Sequence, residues 1–142
     1  MSQLKVRCRG IIMHEDKLLL VKHSGGRDFY ALPGGHLDFG ENPKKCMRRE
    51  LVEELGIEPT IGRLLYVYSF TKEDAQSVEF FFEIENGHDY LTHAEKEKTH
   101  AHEIAEVIWV GADTEVPILP QELKVEFKNG TLLHEGTRFI NG

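Results

Sequence analysis

Disulfide chemistry has almost nothing to work with in this chain. Its 142 residues include only two cysteines, Cys8 and Cys46, too few for a disulfide framework, so both are expected as free buried thiols of a reducing compartment. Long apolar runs are also missing: residues 10–13 are too short for the core of a signal peptide, and nothing later would span a bilayer. Positive charge is in deficit, with 17 Lys and Arg against 24 Asp and Glu and a net charge of −7. That balance argues against a nucleic-acid backbone as the main partner, because such a partner calls for a basic face. There is no internal repeat, linker or low-complexity segment. What these absences leave is one domain over residues 1–142, expected to be soluble and cytoplasmic, and large enough to bury a core without metals or disulfides as staples.

The chemistry is concentrated in residues 35–57, GHLDFGENPKKCMRRELVEELGI. The second half reads as a helix punctuated at both ends. Asn42 suits the N-cap, Pro43 the first helical position and Gly56 the left-handed residue beyond the C-terminus. At 3.6 residues per turn, Glu50, Glu53 and Glu54 project within an arc of roughly 100° beside an apolar stripe of Met47, Leu51 and Leu55. Like charges at this spacing destabilise by roughly 0.2–0.5 kcal/mol per pair. Arg49 is the only nearby cation close to that face in angle, and a hard divalent cation would answer the three carboxylates better. A solvated helix rich in Glu and Arg is the plainer reading of RELVEEL by itself.

The flanks decide between the two. Gly35, Glu41, Arg49, Glu50, Glu53, Glu54 and Gly56, with the apolar Leu51 and Ile57, stand at the spacings of the Nudix hydrolase box. Seven fixed identities at roughly 7% background coincide about once in 10⁸ starting positions. The stretch therefore resembles that family, over about a sixth of the chain, and the preceding Leu32-Pro33-Gly34-Gly35 resembles its usual lead-in.

The resemblance implies an α/β Nudix fold, a mixed β-sheet sandwiched between α-helices. It also implies a metal-dependent hydrolase that cleaves the pyrophosphate linkage of a nucleoside diphosphate derivative by water attack on phosphorus. Such chemistry needs phosphate charge neutralised and a nucleophile generated near neutral pH, and divalent metals do both. By the family pattern Glu50, Glu53, Glu54 and the Gly35 carbonyl are expected to hold Mg²⁺ or Mn²⁺. Glu103 is a further ligand and Glu106 the second choice for that place. One carboxylate, with Glu50 favoured, serves as general base, and Arg49 with Glu41 orients the others. The PGGHLDFGE run resembles the MutT-type members and favours a (d)NTP or modified nucleotide as the small-molecule substrate. Residues 72–75 carry neither the proline of the ADP-ribose type nor the tyrosine of the dinucleoside polyphosphate type. ADP-ribose, nucleotide sugars and dinucleoside polyphosphates stay as alternatives, as does a non-catalytic nucleotide-sensing module. A decapping enzyme would want a more basic surface. Many relatives are dimers, so a homodimer is left open.

The remaining pattern predicts strands over 5–13 and 17–22 joined by a polar turn, a short strand over 29–32 stopped by Pro33-Gly34-Gly35, and strands over 64–70, 78–84 and 105–110. A helix is expected over 120–128, a terminal strand or arm over 131–140, and a His-rich surface loop over 85–103. Within that loop His100, His102 and Glu103 form a rival transition-metal set. His23 and His36 are expected near the site entrance. Tyr30, Phe29 and Phe80 to Phe82 are candidates for base stacking, with core packing the plainer assignment.

Overall fold

A computed structural model of the protein describes residues 3–23, 30–93, 104–115 and 118–142. The strands are β1 (Gln3–His14), β2 (Lys17–His23), β3 (Tyr30–Ala31), β4 (Gly34–His36), β5 (Ile61–Lys72), β6 (Ala75–Ile84), β7 (Ile104–Val110), β8 (Ile118–Leu119) and β9 (Arg138–Asn141). Helix α1 (Pro43–Leu55) follows β4, a short 3₁₀ turn and α2 (Tyr90–His93) follow β6, and α3 (Gln121–Lys128) follows β8. The strands form one mixed sheet in the order β8-β3-β2-β1-β6-β5-β9, with β4 added to β1 and β7 to β2. Pairings β1–β6, β3–β8 and β5–β9 are parallel and the others antiparallel.

Two apolar cores explain why the sheet needs a helix on each face. Cys8, Ile12, Leu19, Val21, Phe82 and Ile84 point one way and are covered by Met47, Leu51 and Leu55 of α1. Ile11, Leu18, Leu20, Tyr66 and Phe81 point the other way and are covered by Leu123 and Phe127 of α3. The side-chain period of two along β1, β2 and β6 feeds both cores from the same strands. The uninterrupted Leu18-Leu19-Leu20-Val21 run is buried throughout, as a strand covered on both faces requires. No described helix is long and apolar enough to cross a membrane.

Several boundaries differ from the sequence reading. Pro33-Gly34-Gly35 does not merely end a strand, because Gly34–His36 is itself a strand paired antiparallel with β1. Pro33 offers no N–H to a ladder, its carbonyl accepts from Gly10 N–H at 2.8 Å, and the chain changes partner from β2 to β1 there. The break between the strands expected over 64–70 and 78–84 shrinks to Glu73-Asp74, since Lys72 pairs with Ala75. The segment 85–93 is not a plain loop: Tyr90 is buried and donates its hydroxyl to the Ile57 carbonyl at 3.0 Å, anchoring a helical turn. Of residues 131–140 only the end is a strand. The chain first crosses beneath Tyr66, whose hydroxyl donates to the Leu132 carbonyl at 2.8 Å.

Candidate active site around helix α1

Local chemistry sets α1 in place. The Asn42 side chain accepts from Lys45 N–H at 2.9 Å, Pro43 opens the helix, and Gly56 closes it in the left-handed conformation at φ 75°. β4 then passes under the helix. Gly34 N–H donates to Glu54 Oε1 at 2.9 Å, and Glu54 is buried. A Cβ on Gly35 would lie 2.5 Å from Glu50 Oε2, so only glycine lets that carboxylate rest on the strand.

Arg49 ties the acids together. Its Nε and Nη2 grip Glu41 bidentately at 2.7 and 3.0 Å, while Nη1 reaches Glu50 at 3.0 Å and Glu53 at 3.3 Å. Nη2 also donates to the His36 carbonyl at 2.9 Å, and Asp38 lies 3.4 Å away. Glu41 with both oxygens, and Glu50, Glu53 and Asp38 with one each, therefore face one planar cation. Glu41 also accepts from Asp38 N–H at 3.0 Å, clasping the loop before α1.

The electrostatics differ between the acids. The Arg49 guanidinium beside Glu41 holds its carboxyl down at about 2. Glu50 goes the other way: burial first, then the neighbouring Glu54 charge, raises its pKa against the pull of Arg49. Arg49 itself is held further above its ordinary value, chiefly by Glu41. Two stability predictions follow in opposite directions. Because Glu41 is depressed in the folded state, its contribution is present above its unfolded value of 4.5 and fades as pH falls towards about 2. Glu41→Gln should therefore flatten the acid limb of a stability-against-pH curve by on the order of 2 kcal/mol after screening. Because Glu50 is raised, its ionised form is a burden that grows as pH rises through its folded value. Glu50→Gln should thus increase the melting temperature at pH 7 in EDTA by a few degrees, with the gain shrinking as pH falls towards the ordinary carboxylate value of 4.5. A melt of the two proteins across pH checks both signs.

The donors expected for a cation here are all oxygen: the carboxylates of Glu50, Glu53 and Glu54 and the Gly35 carbonyl. That chemistry fits a hard divalent cation, and the cradle at Gly35 and the raised Glu50 both mark a place short of positive charge. Among the described residues no three His, Cys, Asp or Glu side chains are already gathered closely enough to cage a metal. In this arrangement Arg49 supplies the cation that Glu50 and Glu53 face.

Other sequence candidates fall elsewhere. Glu103, with His100 and His102, lies outside the described residues, as do Phe29 and the His23 side chain. Glu106 accepts the Tyr30 hydroxyl, at 2.8 Å to Oε2, so the half-buried Tyr30 is tied to strand β7, with Lys22 Nζ 5.7 Å from its ring centre. Phe81 and Phe82 are core residues on opposite faces, and Phe80 packs beside Phe82. His36 is exposed; partial desolvation, then Arg7, Arg9 and Lys5, hold its imidazole below the ordinary value. Cys46 is buried against Cys8, and that contact together with burial pushes its thiol up, which makes it a packing group and no nucleophile. The sequence reading passed over Arg7, Arg9 and Glu79. Their only traces there are the alternation of charged and apolar residues along 5–9, for the arginines, and along 78–84, for Glu79.

Residues 4–129 match the NUDIX domain, and the chain belongs to the Nudix family. An ADP-ribose pyrophosphatase of Methanocaldococcus jannaschii is 34% identical over 84 residues, covering 55% of this chain and 50% of that protein. An 8-oxo-dGTP diphosphatase of Haemophilus influenzae is 35% identical over 81 residues, covering 54% of this chain and 59% of that protein. The match thus spans half the length of the first relative and 59% of the second. The crystal structure of a MutT NUDIX hydrolase from Burkholderia pseudomallei superposes with a TM-score of 0.70 at 22% identity, covering 89% of this chain and 98% of that one. It shares the fold.

Proposed function

We propose that the chain is a metal-dependent pyrophosphohydrolase that cleaves the pyrophosphate linkage of a nucleoside diphosphate derivative by water attack on phosphorus. The observation that carries the reading is the gathering of Glu41, Glu50 and Glu53 around Arg49, with Glu54 fixed against the Gly34 N–H. An ordinary surface helix has no reason to hold acids in this way over a glycine strand. Glu50, Glu53, Glu54 and the Gly35 carbonyl would hold Mg²⁺ or Mn²⁺, with Glu103 as a further ligand. When bound, the ion supplies charge neutralisation at the bridging phosphates and lowers the pKa of a coordinated water.

The chain's own residues do the rest. Arg49 and Glu41 orient the carboxylates from outside the reacting centre. Glu50, whose pKa is raised by burial and by the neighbouring Glu54 charge, is the carboxylate assigned to accept the proton of the attacking water. Water adds to one phosphorus, the bridging oxygen leaves with the other phosphoryl group, and the proton passes to the carboxylate.

The resemblance of residues 33–41 to the MutT type makes (d)NTPs and modified nucleotides the first substrates to try. The two relatives, an ADP-ribose pyrophosphatase and an 8-oxo-dGTP diphosphatase, set the range. A phosphate-release screen across dNTPs, 8-oxo-dGTP, ADP-ribose, nucleotide sugars, dinucleoside polyphosphates and capped RNA, with Mg²⁺ and Mn²⁺, tests the proposal. Turnover of at least one small pyrophosphate is expected. Binding without turnover of any would instead indicate a nucleotide-sensing module.

A further inference from the structure

Helix α1 covers one face of β1; the other face carries Lys5, Arg7 and Arg9 at alternate positions. In register across the sheet, Arg7 stands beside Glu79 of β6 and Glu79 beside Tyr68 of β5, while Lys5 stands beside Ser77 and Ser77 beside Phe70. These two rows floor a groove of about 540 Å³. Glu79 is buried at 7% exposure and is shared by Arg7 at 3.3 Å and Arg9 at 3.7 Å.

One carboxylate between two guanidiniums leaves a charge unanswered, and Lys5 and Lys72 add to it from the lining. Glu73 and Glu122 also line the groove, exposed like Lys72, so its four cations outnumber its three acids by one. In a chain of net charge −7, cations concentrated in a concavity oppose the general trend. Half-buried guanidiniums hold a charge there at a desolvation cost unless an anion meets them. Arg9 uses one further donor on the Leu32 carbonyl at 3.2 Å; a guanidinium has five N–H groups, so both arginines keep donors in hand. The Tyr68 and Phe70 rings, 4.8 Å apart, form an aromatic wall beside these cations.

The groove also adjoins the candidate active site. Arg7 and Arg9 pair with His36 and Gly34 of β4, and the intervening Gly35 carries Glu50 on its opposite side. We propose that Arg7 and Arg9 in this groove, with Glu79 setting their positions, select pyrophosphates whose remote group bears a phosphate monoester. This rests on the hydrolase reading and narrows its substrate class to pyrophosphates with an additional phosphate away from the scissile bond.

Two readouts separate the inference from that reading. Calorimetry in EDTA should show adenosine 2′,5′-bisphosphate binding at least about tenfold more tightly than AMP, the worth of one hydrogen bond to a charged group. In Mg²⁺, kcat/KM should favour NADP over NAD by a similar factor, the pair differing only in one remote phosphate. Arg7→Met alone would strand Glu79 with one partner, so the charge-balanced Arg7→Met/Glu79→Gln protein is the informative variant, and both ratios should fall towards one. Glu79→Gln alone frees both arginines and should raise them. Equal binding of bisphosphate and AMP by the unaltered protein, or a preference that survives in the double variant, overturns the groove assignment. Turnover of other pyrophosphates without any phosphate preference overturns it while leaving the hydrolase intact. A calorimetric preference with no turnover of any pyrophosphate overturns the hydrolase reading and supports the groove.

Discussion

Glu54→Gln and Glu53→Gln should each lower kcat by at least about 10²-fold in saturating Mg²⁺, because on the proposed mechanism each removes one carboxylate ligand and several kcal/mol of charge stabilisation. The fold should survive both. Glu54 is buried, but its structural task is to accept the Gly34 N–H at 2.9 Å, and the glutamine carbonyl oxygen accepts in the same geometry. Glu53 is more open, with 38% of its side chain exposed, and its ion pair with Arg49 is of the i,i+4 kind worth only a few tenths of a kcal/mol. Steady-state rates together with a thermal melt decide the matter. Near-native rates in either variant would show that these acids do not serve the reaction, whatever the fold.

The second large effect concerns stability and falls on Gly34. Its φ is +146°, where side chains are strained, and a Cβ there would lie 1.9 Å from the Cys8 carbonyl oxygen. That atom is backbone in the middle of β1 and has nowhere to go. Gly34→Ala should therefore strip β4 from β1 and destabilise by about 3 kcal/mol or more, visible as an earlier midpoint in urea. The same substitution one residue on behaves differently. At Gly35 the added methyl meets the Glu50 carboxylate at 2.5 Å, the far end of a side chain that can swing away. Gly35→Ala should keep most of its stability and lose activity as Glu50 leaves its place. If both variants lost stability equally, the distinction between a framework glycine and a cradle glycine would be wrong.

The legible part of this protein lay where cause and effect are close in sequence. The ends of α1 follow from Asn42, Pro43 and Gly56, each acting on backbone groups within one turn. The burial of Met47, Leu51 and Leu55 follows from their spacing. The hairpin turn between β1 and β2 and the two-faced burial of Leu18 to Val21 were readable for the same reason. The strand at Gly34–His36 was not. Two glycines and a proline carry no strand signal, and what makes them a strand is the open flank of β1, more than twenty residues earlier in the chain.

The sequence by itself determined the helix, its caps, the acidic flank and the membership of its box in a family pattern, because these depend on the periodicity and capping of adjacent residues. Only the tertiary structure decided that Arg49 spans three carboxylates at once, that Glu106 is claimed by Tyr30, and that Arg7 meets Glu79 across 72 positions to floor a cationic groove. Those contacts depend on which strands lie side by side. Strand pairing is settled by the closing of two cores over the whole sheet, which no local stretch of residues encodes.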